Sequence, residues 1–287
     1  MNTTHEIIQE GDIVVMYASR NQYKTIKVTK GKIYQCVYGI YPHDSIIGRK
    51  YGEEIQSKDK KGYLYALQLT PSLYTLVLQH RTQVLYHQTI APVLEYFDIT
   101  PNSTIVESGT GSGCLSVAFA SRLKYGNTIG NGHLYTYEFH EERKKKAEED
   151  FADLGLDQVI TVVLRDVVGN GFLIENQLNE GDADCVFLDL PNVHEAIPHA
   201  HKVLRVGGKI CCFCISIEQV QKSCDELRKD GKFTNILTKE YVTRPYSIRG
   251  VFEKNSKQSC IADDVLVHPI NTTKGHVGYV TFAMKVN

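Results

Sequence analysis

The chain is constrained most by Ile105-Val106-Glu107-Ser108-Gly109-Thr110-Gly111-Ser112-Gly113, which runs into Cys114-Leu115-Ser116-Val117-Ala118-Phe119-Ala120. An apolar run, three glycines at alternate positions and a helical apolar pattern spell a strand, a turn and a helix. Glycine permits φ > 0 and lets a ligand approach the backbone where a Cβ would stand. A dinucleotide fingerprint, G-x-G-x-x-G, would need its third glycine at position 114, which is Cys114. Glu107 stands two residues before the first glycine, where a carboxylate repels a pyrophosphate and suits a ligand carrying an ammonium and a sulfonium. The spelling E-x-G-x-G-x-G points to S-adenosylmethionine, held by Gly109, Thr110, Gly111, Ser112 and Gly113.

Beyond this loop, strand and helix patterns alternate. Leu134-Tyr135-Thr136-Tyr137-Glu138 precedes a helical stretch over 141–154, and 159–164, 183–189 and 209–213 read as later strands. Such interleaving predicts an α/β fold, a doubly wound, Rossmann-like parallel sheet whose ligands sit beyond the carboxyl ends of the strands. Before it, residues 13–17, 25–28, 33–38 and 63–67 are short β-prone runs separated by turn residues such as Gly31 and Gly39. They predict a small N-terminal β-domain over 1–69, a barrel or sandwich, with the main domain over 70–287. Eleven of the 17 tyrosines fall in the first 100 residues. They would suit stacking on RNA, but tyrosine is also a preferred strand residue, and strand packing is the favoured reading. Thr70-Pro71 marks a helix start, and a helix is expected over 89–97 with Pro92 in its first turn. Residues 253–257, 263–264 and 271–275 are polar and aperiodic and read as a mobile loop; 277–282 reads as the last strand.

With 287 residues, 42% of them hydrophobic, the chain can bury one large core and a small one. No apolar run approaches the ~20 residues of a membrane span, and Met1-Asn2-Thr3-Thr4-His5-Glu6 lacks signal-peptide features, so an intracellular protein without a membrane partner is expected. Eight cysteines, several within apolar runs such as Ile210-Cys211-Cys212-Phe213-Cys214-Ile215, read as reduced thiols. Cys211 and Cys214 have C-x-x-C spacing but point to opposite faces of a strand, and no second pair exists, so no metal site is expected. The net charge of −1 is not that of a protein that holds nucleic acid unaided. An RNA substrate would need a basic partner or patch.

Three acids fall at strand ends. Glu138 can accept hydrogen bonds from both ribose hydroxyls of a nucleoside, or be a merely solvated strand-end acid. Asp166 can accept from an adenine amino group, or be a turn or cap residue. Asp189, in Phe187-Leu188-Asp189-Leu190-Pro191, follows an apolar run in which an acid serves no packing purpose; the alternative is an N-cap for a helix around 194–200.

Taken together, residues 107–113, Tyr137-Glu138-Phe139-His140-Glu141-Glu142-Arg143, Arg165-Asp166-Val167 and Phe187-Leu188-Asp189-Leu190-Pro191 resemble the tRNA adenine-N1 methyltransferases. Glu138-Phe139-His140 and Ile217-Glu218-Gln219-Val220-Gln221 resemble their eukaryotic catalytic subunits, over about 83–246. The resemblance implies a class I methyltransferase sheet and S-adenosylmethionine bound by Leu85, the glycine loop, Glu138, Arg143 and Asp166-Val167. It implies Asp189 as the catalytic residue at the reacting base, adenosine 58 of the tRNA T loop. It further implies a related non-catalytic subunit in a heterotetramer of two plus two chains, and a nuclear location. Arg143-Lys144-Lys145-Lys146, a short basic run on a helix, reads as a solvated face rather than an import signal. The competing readings are a nicotinamide oxidoreductase, which Cys114 and Glu107 oppose, and a non-catalytic methyltransferase-like subunit, which would be expected to lose the glycine loop or Asp189.

Overall fold

In the computed structural model, which describes residues 6–19, 22–78, 84–125, 128–250, 265–270 and 275–287, the runs before residue 70 form six strands. They are β1 (Ile13–Ser19), β2 (Gln22–Lys27), β3 (Ile33–Cys36), β4 (Gly39–Pro42), β5 (Glu54–Gln56) and β6 (Tyr63–Gln68). An antiparallel sheet runs β2-β1-β6-β5, and β3 and β4 pair as a separate hairpin. The two-residue period of β1 explains how this region attaches. Val14 and Met16 pack with Tyr41, Ile46, Ile55 and Leu64 in a core of their own, while Val15 faces the main body beside Leu69 and Tyr74.

Thr70 caps α1 (Pro71–Val77), its side chain accepting from the Leu73 N–H at 3.2 Å. The next helix, α2 (His87–Phe97), begins two residues before the expected 89. Pro92 therefore stands in its second turn rather than its first, and the Gln88 carbonyl gains no bond from it.

The main body follows as β7 (Thr104–Ser108), α3 (Cys114–Leu123), the short hairpin β8 (Lys124–Tyr125) and β9 (Thr128–Ile129), β10 (His133–Glu138), α4 (Glu141–Asp153), β11 (Ile160–Leu164), α5 (Val167–Asn170), β12 (Ala183–Leu188), α6 (Val193–Val203), β13 (Leu204–Cys214), α7 (Ile217–Arg228), β14 (Phe233–Glu240), β15 (Tyr246–Gly250), β16 (Val265–Pro269) and β17 (Tyr279–Lys285). Seven strands make one sheet in the order β11-β10-β7-β12-β13-β17-β14. The pairs from β11 to β13 are parallel, but β17 runs antiparallel to both β13 and β14, so the sheet is mostly rather than wholly parallel. Alternate residues feed two cores. Ile105, Cys185 and Phe187 pack with α2, α3 and α4; Val106, Val186 and Leu188 pack with α6 and α7. Cys211 lies in the first core and Cys214 in the second, as opposite strand faces require.

β14 and β16 are among the elements not read from the sequence. β14 is an edge strand with only Phe233 buried. β16 pairs antiparallel with β15 and falls between segments 263–264 and 271–275 of the stretch read as a mobile loop. Of that stretch, 253–257, 263–264 and 271–274 lie outside the described residues. No helix among the described residues is long and apolar enough to cross a membrane. Register sets Ser108 level with Tyr137 on one side and Leu188 on the other, so three adjacent strands end at the same height.

Candidate active site

The glycine loop occupies that common edge. Gly109 has φ +95°, and a Cβ there would stand 2.2 Å from the Asp189 carbonyl oxygen; Gly113, at φ +77°, would put a Cβ 2.8 Å from the Phe151 ring. Both glycines are thus fixed by close approach as well as by backbone angle. The N–H groups of Gly109 and Thr110 donate to the Tyr137 carbonyl at 3.0 and 3.3 Å, and the Asp189 N–H donates to the Ser108 carbonyl at 2.9 Å. The loop is stitched to the strand on either side. Around it lies a cavity of about 480 Å³, within the roughly 300–1,000 Å³ typical of small-molecule sites. The cavity is lined by every candidate named from sequence: Leu85, Glu107, the loop from Gly109 to Gly113, Glu138, Arg143, Asp166, Val167 and Asp189.

Glu138 is 4% exposed and heavily bonded. Oε1 accepts from the N–H groups of Phe139 at 2.9 Å and His140 at 3.0 Å, and the Arg143 guanidinium stands 3.0 Å from it. Among the described residues Oε2 accepts only a long bond from the Gly111 N–H, at 3.3 Å. A carboxylate offers about four acceptor sites, so Oε2 keeps capacity for an incoming hydroxyl. Glu138 is therefore not a merely solvated acid. Arg143 acts first as its buttress; its Nε is buried with no acceptor among the described residues. Asp166 caps α5, accepting from the Val168 N–H at 3.0 Å, so the cap reading holds, and it lines the cavity as well.

Glu107 and Asp189 differ from what the sequence alone suggests. Glu107 is 1% exposed, and burial pushes its carboxyl up to about 7, helped by the nearby charge of Asp189 and opposed by the hydroxyls of Ser116 and Thr136. The Ser116 hydroxyl donates to it at 2.5 Å. With the cavity open to solvent, Glu107 is therefore not a fixed negative charge at neutral pH; its ionisation is set by what lies beside it. Asp189 is not a helix cap: the N-cap of α6 is Asn192. Its carboxylate receives no hydrogen bond from any described residue, and desolvation raises it to about 7. A partly exposed acid on a cavity wall, bonded by no donor among the described residues, is the arrangement expected of a group that acts on a ligand.

Sequence reading missed several lining residues. Val84 precedes Leu85 in the buried approach to α2, and Asn192 follows the Asp189 turn. Tyr137 donates its hydroxyl to the Phe172 carbonyl and carries the Arg165 guanidinium 5.8 Å over its ring. Tyr137 and Arg165 stand within the motifs that carry the resemblance, and Asn192 gave a signal as a cap residue before an apolar helical run. The basic run on α4 is neutralised locally. Lys144 pairs with Glu148, Lys145 with Glu141, and Lys146 with Glu149 and Asp150, as a solvated face should.

The comparisons with known proteins agree with this geometry. The chain is 37% identical to the tRNA (adenine(58)-N(1))-methyltransferase catalytic subunit trmt61a of Dictyostelium discoideum, over 99% of this chain and 98% of that protein. It is 38% identical to the catalytic subunit TRM61 of the same name from Candida albicans, over 84% of this chain and 70% of that protein. Its fold is similar to that of a SAM-dependent O-methyltransferase from Thermotoga maritima, with TM-score 0.79, 24% identity and coverage of 98% of this chain and 96% of the other. It is also similar to the tRNA (m1A58) methyltransferase TrmI from Aquifex aeolicus, with TM-score 0.72, 18% identity and coverage of 98% and 99%. The fold is that of the class I methyltransferases. Since residues 62–254 match the family described as the tRNA methyltransferase complex GCD14 subunit, the chain belongs to that family.

Proposed function

We propose that the chain is a catalytic subunit that transfers a methyl group from S-adenosylmethionine to N1 of adenosine 58 in the tRNA T loop. The observation that carries this reading is Asp189, an acid without a hydrogen-bond donor among the described residues, tied by its own N–H to the end of the glycine-loop strand. A non-catalytic subunit of the same fold would have no use for it. The residues fit the cofactor: the loop from Gly109 to Gly113 lines the cavity, Oε2 of Glu138 retains an acceptor site for ribose, and Leu85 and Val167 supply apolar walls. Glu107, at the loop's base, gains its charge most readily opposite a cationic ligand.

Bound there, S-adenosylmethionine would supply a methyl group already activated by its sulfonium. The chain's task is then chiefly alignment and exclusion of water. Glu138, clamped by Arg143, fixes the nucleoside end. Asp189 accepts a hydrogen bond from the adenine N6 amino group, raising electron density at N1 and stabilising the positive charge that develops as N1 is alkylated. The target base must leave the stacked tRNA elbow to reach this cavity.

A related non-catalytic subunit, two copies with two of this chain, would complete the tRNA surface. The net charge of −1 supports that division of labour, since a near-neutral chain has little attraction for a polyanion. We also propose a division near residue 70 between the N-terminal β-region and the methyltransferase body, and a nuclear location, which imaging of a tagged chain would test. The main experiment is co-purification with the candidate partner, then mass spectrometry of tRNA nucleosides after incubation with S-adenosylmethionine. Formation of 1-methyladenosine at position 58 supports the proposal; full turnover by the chain alone at matched salt removes the partner from it.

A further inference from the structure

We propose that Gln219 is a positioning residue that holds the turn carrying Asp189, an inference that rests on the methyl-transfer reading above. Gln219 stands at the third position of α7 and completes a capping box. The Ser216 hydroxyl accepts from the Gln219 N–H at 3.3 Å, while Gln219 Oε1 accepts from the N–H groups of Ser216 at 3.2 Å and Ile215 at 2.9 Å. A capping box uses only the acceptor oxygen of its third residue, and glutamate serves as well as glutamine. The amide nitrogen is therefore surplus to the cap. Here it donates to the Pro191 carbonyl at 3.0 Å, across 28 residues of chain.

That carbonyl lies two residues after Asp189. The turn from 189 to 192 joins β12 to α6, and its ends are held by Asp189 N–H to the Ser108 carbonyl and by Glu195 N–H to the Asn192 carbonyl. Between those ends Pro191 has no N–H, and among the described residues Gln219 provides the one side-chain bond to the turn. The same turn presses on the glycine loop, since the Asp189 carbonyl oxygen occupies the space that a Cβ on Gly109 would need. A loosened turn thus displaces the Asp189 side chain, while the bond from the Asp189 N–H to the Ser108 carbonyl keeps its backbone against the loop. Gln219 is not among the residues lining the cavity, so it acts through the turn and not on the ligand. The far side of the β13–α7 junction is pinned independently, the Ile215 carbonyl lying 3.1 Å from His276 Nε2. The anchor from which Gln219 reaches is therefore itself fixed.

The test is Gln219→Glu beside Gln219→Ala, in complex with the partner subunit, at pH 8, where an exposed glutamate is ionised. Glutamate keeps the capping box, removes the donor and turns oxygen toward the Pro191 carbonyl. We expect Gln219→Glu to keep more of the parent Tm than Gln219→Ala and to bind S-adenosylmethionine with the parent Kd, while kcat for tRNA methylation falls about 10- to 100-fold, the cost of a misplaced reacting group. Hydrogen exchange should quicken at the amides of Leu190 and Asn192 and stay unchanged in the first turn of α7. Gln219→Ala should show the same kinetic loss together with a lower Tm. Parent-like kcat and parent-like exchange in Gln219→Glu overturn the proposal, as does a Tm loss in Gln219→Glu equal to that of Gln219→Ala, which assigns the residue to the helix cap alone. If the parent complex makes no methyladenosine, the methyl-transfer reading fails, and exchange at 190 and 192 still decides whether Gln219 holds the turn.

Discussion

Glu138 and Asp189 end the two strands that flank β7, at nearly the same height on the same cavity, and the fold treats them in opposite ways. Glu138 is surrounded by donors: two successive backbone N–H groups, the Gly111 N–H and the Arg143 guanidinium. Asp189 has no donor among the described residues, and desolvation raises it to about 7. An acid held by so many donors has its position and charge fixed before any ligand arrives, which suits binding. An acid left without them has its interactions still to make, which suits a role expressed as the reaction proceeds.

The comparison predicts a division of phenotypes. The largest effect belongs to Asp189→Ala, which should lower kcat by about 10²- to 10³-fold, the usual cost of losing one preorganised stabilising group, with cofactor Kd close to the parent value. Stability should hold or rise, because the residue removed is a desolvated acid and not a cap. Glu138→Ala should do the reverse. It leaves three part-buried N–H groups and Arg143 without their acceptor, at about 1 kcal/mol for each bond lost where water can reach the donor. Calorimetry should show weakened S-adenosylmethionine binding, and thermal melting a lower Tm.

Glu107→Gln sharpens the comparison from beneath the glycine loop. The folded carboxyl sits near 7, above its ordinary value of 4.5. The folded state therefore holds more protons than the unfolded one between those values, and stability declines as pH rises through that window. Glutamine keeps an acceptor for Ser116 and removes the ionisation. The ligand-free variant should gain stability over the parent at pH 8, on the order of 2 kcal/mol, and bind the cationic cofactor less well. Equal pH–stability curves for variant and parent would contradict the assignment.

The smallest effect lies at the far end of the sheet. His276 directs Nδ1 at Glu240 Oε1, 2.6 Å away, and Nε2 at the Ile215 carbonyl. Two acceptors favour the doubly protonated ring, and the bond to Glu240 raises its pKa above 6.5. That contribution is fully present below the ordinary histidine value and is lost as pH rises through the raised one. The Tm difference between parent and His276→Ala should be greatest near pH 6 and shrink by pH 9.

Much of this was readable in the sequence because it rests on local pattern. The glycine loop, the strand-end acids and the parallel core strands each announce themselves within a few residues, and all the candidate site residues line one cavity. What was not readable depends on packing. The protonation of Glu107 follows from burial beneath the loop, which no neighbour in sequence reveals. β14, with Phe233 buried and polar residues along most of its length, gives too little alternation to mark a strand, and Asn235 at φ +53° interrupts it at a register shift. Gln219 is legible as a helix cap, but its bond to Pro191 exists only because two turns at the same sheet edge are neighbours in space.

The most direct test of the division between binding acid and reacting acid is single-turnover methylation of tRNA by the two-subunit complex at saturating S-adenosylmethionine, with 1-methyladenosine at position 58 counted by mass spectrometry. Saturation removes the binding defect and leaves the chemical step. The account predicts that Asp189→Ala remains at least about 10²-fold slow while Glu138→Ala recovers most of the parent rate; a near-parent rate in Asp189→Ala would contradict it.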